Sequence, residues 1–61
     1  MLKEDIYSLQ TIVREYGTKG AVAGLMVALQ RYADEMSDLG LKEKAIQAAN
    51  MADVLRDIND E

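Results

Sequence analysis

Two stretches of this 61-residue chain gather residue types that could do chemistry, and both fall short of it. Gly17, Thr18, Lys19 and Gly20 precede a predicted helix, where free backbone amides, a hydroxyl and an ammonium together would suit a phosphate. A nucleotide-binding loop requires G-x-x-x-x-G-K-[ST] after a strand. Here the lysine precedes the second glycine and no strand is predicted, so the segment reads as an interhelical turn, with Gly17 ending one helix and Thr18 capping the next. The second stretch is acidic. Asp53, Asp57 and Asp60 share one side of a predicted helix, and Asp57-Ile58-Asn59-Asp60-Glu61 resembles the opening of a calcium loop. Such a loop needs twelve residues, a glycine at the sixth and a closing glutamate, which these residues do not supply. Carboxylates at a helix C-terminus also oppose the macrodipole, so this end is expected to fray, held in part by Arg56 with Asp53 or Asp60.

The residues that are missing narrow the chemistry further. With no histidine and no cysteine, the usual zinc ligands, thiolate nucleophiles and disulfides are all excluded. A general base would have to be a carboxylate of shifted pKa in a pocket, whereas the charged residues fall mainly on faces expected to be wet. No catalytic residue, cofactor or metal is therefore expected, and the chain reads as a non-enzyme.

What must position these residues is helical. Alanine, leucine and methionine outnumber β-branched residues, and proline is absent. Leu2, Ile6, Leu9, Val13 and Tyr16 are spaced 4, 3, 4 and 3, which predicts a helix over 3–16, its stripe widened by Ile12. Gly17 stands where a helix would end in the left-handed conformation. A second helix over 18–38 carries Val22, Leu25, Leu29, Tyr32 and Met36 as its core face. Gly40 followed by Leu41 marks its stop, with Leu41 folding back on Met36. A third helix over 41–58 has Leu41, Ala45, Ala48, Ala52 and Leu55 inward, with Met51 and Ile58 beside them. Its small inward side chains permit close approach, so the expected fold is all-α. Helices two and three form a tight antiparallel hairpin, and the N-terminal helix covers its side.

The segment 20–29, GAVAGLMVAL, has no polar side chain. The core stripe accounts for much of it, leaving Gly20, Ala23, Gly24 and Val27 as a small, dry outer face about two turns long. Glycine costs about 1 kcal/mol relative to alanine inside a helix, so two at spacing four suggest a groove for another helix. Met26 borders this face. Tyr7 lies off the stripe of the first helix, where it suits either an interface or a neighbouring side chain. Domains this short bury only about 60% of their unfolded surface, and with disulfides and zinc excluded, association is the remaining means of stabilisation. A homodimer through the Gly20, Ala23, Gly24 and Val27 face, with Ala21, Met26 and Ala28 at its margins and Tyr7 as a further interface residue, is the expectation, since two-fold pairing is the commonest way to cover such a patch.

Residues 29–52 resemble a single tetratricopeptide-type hairpin. Leu29, Tyr32, Ala33, Met36, Gly40, Ala45 and Ala52 stand where that repeat keeps its packing residues, and Leu39-Gly40 followed by Glu43, Ala45 and Ile46 is the closest part. The chain departs from the repeat at Ala49, where a large aromatic occurs, and at Asp57, where a proline closes the unit. The resemblance implies at most a protein-binding role.

Charge and composition bound the remaining classes. Seven basic against eleven acidic residues give a net charge of −4, which repels nucleic acid and anionic membranes and suits a basic protein surface. A helix-turn-helix reading of the region around Gly17 fails because the would-be recognition helix presents Gly20, Ala21, Gly24 and Leu25 instead of Arg, Lys and polar groups. The apolar run is too short for a bilayer, and the opening Met-Leu-Lys-Glu-Asp lacks the basic start of a signal peptide, so a cytoplasmic setting is expected. The sequence thus predicts a small adaptor or regulator acting as a homodimer on another protein. Its rivals are an antitoxin-like or DNA-associated regulator and an accessory subunit of a larger enzyme.

Overall fold

The computed structural model describes residues 1–60 and is entirely helical, with two elements, α1 (Lys3–Asp38) and α2 (Lys42–Asn59). The expectation of three helices is overturned: α1 continues through the predicted break, as one element of 36 residues kinked at Gly17. Glu61, the last residue of the acidic end, lies outside the described residues.

The kink is large. A straight helix of this length would measure about 54 Å, whereas the longest dimension of the molecule is 36 Å. Gly17 has φ 78° and ψ 171°, a region that only glycine enters without strain. This differs from the left-handed helix ending that the sequence suggests, in which ψ would be near 47°. The Thr18 hydroxyl, expected to cap, makes no hydrogen bond among the described residues; side-chain donors there are Ser8 and Thr11, bonded to carbonyls one turn back, and Asn59.

The start and end of α1 follow from local chemistry. The Leu2 N–H donates to the Asp5 carboxylate at 3.4 Å, and Glu4 and Asp5 place negative charge in the first turn, where the dipole favours it. At the other end Gly40 takes φ 78°. The Leu41 N–H donates to the Met36 carbonyl at 2.8 Å and the Gly40 N–H to the Ser37 carbonyl at 3.0 Å, the pair of bonds that defines a Schellman stop.

Beyond Gly17, α1 packs against α2 in an antiparallel hairpin. Burial along α1 recurs at Val22, Met26, Leu29, Ala33 and Met36, and along α2 at Ala45, Ala48, Ala52, Leu55 and Asn59, both at alternating spacings of four and three. The α2 seam is the one the sequence predicts, apart from Leu41, which is exposed. The α1 seam is rotated by about one residue from the predicted stripe: Ala33 and Met26 replace Tyr32 and Leu25, and the latter two are left outside. The reason is steric. Alanines at Ala45, Ala48 and Ala52 draw the helices close, and a row with Ala33 opposite them admits that approach where Tyr32 would hold the axes apart. At the far end of the hairpin the Asn59 side-chain amide donates to the Lys19 carbonyl at 3.2 Å.

The interior so formed is small. Among the described residues only Ala33, Met36, Ala48 and Ala52 are buried, and no large side chain is fully enclosed. The N-terminal arm, residues 3–16, was expected to cover the hairpin. Instead its whole stripe, Leu2, Ile6, Leu9, Ile12, Val13 and Tyr16, remains exposed. Global measures agree. The accessible surface is 5059 Å², about 1,100 Å² more than the roughly 4,000 Å² of a folded monomer of 6.8 kDa. The radius of gyration is 12.8 Å, against about 10.5 Å for a compact domain of the same length.

Candidate interaction groove

Because the arm turns back at Gly17 without closing on the hairpin, an apolar groove of about 530 Å³ remains between them. Leu9, Ile12 and Val13 form the wall given by the arm, and Ala21, Val22, Leu25 and Ala28 the wall given by the later part of α1. Gly24 adds an opening in that second wall: a Cβ placed there would meet nothing within 4 Å. Thr18, at the closed end, is the one polar residue in the lining. Leu25, in the middle, is 49% exposed.

Such a lining suits some occupants better than others. A small-molecule site fixes its ligand with a few convergent polar groups among apolar walls; a lone hydroxyl does not provide that. A phosphate at 17–20 would need the amides, hydroxyl and ammonium to converge, yet Thr18 is instead part of the apolar lining. Among the described residues no group of His, Cys, Asp or Glu is arranged to hold a metal ion, and no helix is long and apolar enough to cross a membrane. An apolar groove of this kind fits another apolar surface.

The groove is continuous with one side of the hairpin. Right-handed register along two antiparallel helices puts exposed Tyr32 of α1, and Met51, Val54 and Ile58 of α2, on the same side as the groove. The opposite side carries Gln30, Asp34 and Ser37 on α1, and Lys42, Asp53, Arg56 and Asp60 on α2. There Arg56 pairs with Asp53 at 3.3 Å, both side chains more than half exposed. The groove side of the hairpin therefore carries more of the exposed apolar side chains, with Lys44 and Gln47 among them, and the other side is mainly polar, with Val27 and Ile46 as its exposed apolar residues.

Of the six residues singled out from sequence, Gly20, Ala23, Gly24 and Val27 share the outer face of α1, and Met26 and Tyr7 lie off it. Gly24 opens into the groove, while Ala23 and Met26 are half-buried, Met26 within the seam row. Gly20 and Val27 are exposed on the side of α1 turned away from α2, and a Cβ at Gly20 would stand 3.1 Å from that of Tyr16. Tyr7 is exposed on the side of the arm opposite Leu9 and Val13, its carbonyl accepting from the Thr11 hydroxyl. Sequence reasoning assigned Leu9, Ile12, Val13 and Leu25 to the core. Their apolar character was legible; that the arm stands off was not, since hydropathy periodicity marks which face is covered and is silent on what covers it.

No protein-family model matches the chain, and comparison with curated proteins and with solved structures found no match.

Proposed function

We propose that the chain is a small, cytoplasmic, non-enzymatic protein–protein interaction module, an adaptor or regulator that acts as a helical homodimer. The observation that carries this reading is the unburied apolar surface. Large apolar side chains, among them Leu2, Ile6, Leu9, Val13 and Leu25, stand exposed, and the total surface, polar and apolar together, exceeds that of a folded monomer by about 1,100 Å², against the roughly 800 Å² that each partner contributes to a standard specific interface. A hairpin whose interior is three alanines and a methionine gains little from its own core, and association supplies the remainder. The likeness of residues 29–52 to a tetratricopeptide hairpin supports the same protein-binding role, and the net charge of −4 favours a basic protein as the further partner.

Thermal unfolding followed by circular dichroism between about 1 and 100 μM tests the reading. A dimer that folds as it associates melts at higher temperature as concentration rises, because mass action stabilises the associated state. A melting temperature independent of concentration over this range, together with a monomer mass by sedimentation equilibrium, overturns it.

A further inference from the structure

We infer that the second copy is seated in the groove itself, arm against groove in both directions about a two-fold axis. The inference rests on the homodimer reading and adds to it the face, the register of contacts and the role of the kink.

A two-fold interface must be complementary to itself, because the same patch meets the same patch. This groove has the means. Leu9, Ile12 and Leu25 project as large side chains, and Ala21, Gly24 and Ala28 leave shallow places one turn apart along α1. Large residues of one copy can therefore enter the small places of the other while its own small places receive the partner's. The Gly20–Val27 side has no projecting residue of comparable size beyond Val27, and offers hollows without matching knobs.

Area and charge point to the same occupant. The groove, the exposed stripe of the arm and the α2 row of Val54 and Ile58 lie on one side of the molecule, and the chain as a whole exposes about 1,100 Å² more than a folded monomer of its mass, above the roughly 800 Å² that each partner gives to a standard interface. A partner of opposite charge would find no counter-ion in the groove lining, which contains no ionisable side chain. The basic partner would instead meet the other side, which the dimer leaves open and where Asp34, Asp53 and Asp60 outnumber Lys42 and Arg56. The glycine conformation at Gly17 holds the arm away from its own hairpin, so that the stripe is presented to a second copy instead of being spent within the first.

Sedimentation equilibrium of the full chain and of two single-charge variants tests this. Leu25→Glu places a carboxylate in the groove, and Val27→Glu places one on the other side of the same helix at similar exposure. The expected result is a wild-type dimer at micromolar concentration, a dissociation constant raised at least ~100-fold by Leu25→Glu, and little change with Val27→Glu. A dimer weakened by Val27→Glu and indifferent to Leu25→Glu overturns the groove assignment while the homodimer reading stands. A wild-type monomer at 100 μM overturns both. Cross-linking guards against a variant that merely unfolds. The chain has no native cysteine, so single cysteines at Ile12, Ala21, Gly24 and Ala28 report proximity on oxidation. Disulfide-linked dimers from at least one of these, and none from Ala49→Cys on the polar side, are expected; the reverse pattern overturns the proposal.

Discussion

The two parts of α1 on either side of Gly17 carry similar apolar spacings and meet opposite fates. Beyond the glycine, the row Val22, Met26, Leu29, Ala33 and Met36 finds α2 and is progressively covered. Before it, Leu2, Ile6, Leu9, Val13 and Tyr16 follow the same period and find nothing. Amphipathic spacing is thus a statement of demand. Whether it is met within the chain depends on geometry elsewhere, here on small residues that bring α2 close and on a backbone angle that keeps the arm apart.

The largest effect is expected from Ala52→Asp: Ala52 is 1% exposed, and an unpaired carboxylate in the seam costs roughly 3–5 kcal/mol, enough to abolish the hairpin. Loss of helical circular dichroism at every concentration checks this. Leu9→Asp should leave the dichroism of a concentrated sample largely intact while lowering its association, and equal loss from both variants would show that arm and hairpin are one cooperative unit. Gly17→Ala comes next, at about 1–3 kcal/mol, because alanine is strained at φ 78°, ψ 171° although there is room for its Cβ. Chemical denaturation measures the cost, and a neutral outcome would mean that the arm readily takes another angle.

Gly24→Ala sharpens the contrast with a change of sign. In dilute solution it should stabilise the helix by up to about 1 kcal/mol, since nothing stands within 4 Å of the new Cβ, and at associating concentrations it should weaken dimerisation by filling a hollow. Gly20→Ala should gain less, because its Cβ would crowd that of Tyr16 at 3.1 Å. The smallest effect is expected from Arg56→Ala. Its pair with Asp53 is exposed, and removing it should alter stability by no more than about 0.5 kcal/mol in moderate salt.

Much of the hairpin was legible in the sequence. Gly40-Leu41 announces the stop that the backbone makes, and the alanine row of α2 announces close packing. The α1 seam was misplaced by one residue because Val22, Leu25, Leu29, Tyr32 and Met36 are spaced as regularly as Val22, Met26, Leu29, Ala33 and Met36, so periodicity does not choose between the rows, whereas interhelical distance decides in favour of the smaller set. The helix count failed at Gly17 because glycine signals a departure from helical angles without giving its extent, and here one residue departs while the helix resumes at the next. The covering role of the arm failed for a related reason: the angle between two helical segments joined through a single glycine is not written in periodicity. Gly24 alone among the six predicted contact residues opens into the groove, because the small-residue signal that selected it describes a gap on a helix and leaves open which neighbour faces it.

The bond from Asn59 to the Lys19 carbonyl joins residues 40 apart in sequence, the widest separation among the side-chain hydrogen bonds of the described residues. Contacts across the hairpin widen steadily from the turn at Gly40 to this point, so each one closes a loop only slightly longer than the last, at a small added entropy. The expected order of folding is a zipper that begins at Gly40 and ends beside the kink. Its final step fixes the base from which the arm projects, so the α2 row of Val54 and Ile58 joins the groove, itself lined by α1 alone, only when the hairpin is complete. Partly folded chains would then offer one another the groove without that α2 row, a smaller surface and a weaker pairing.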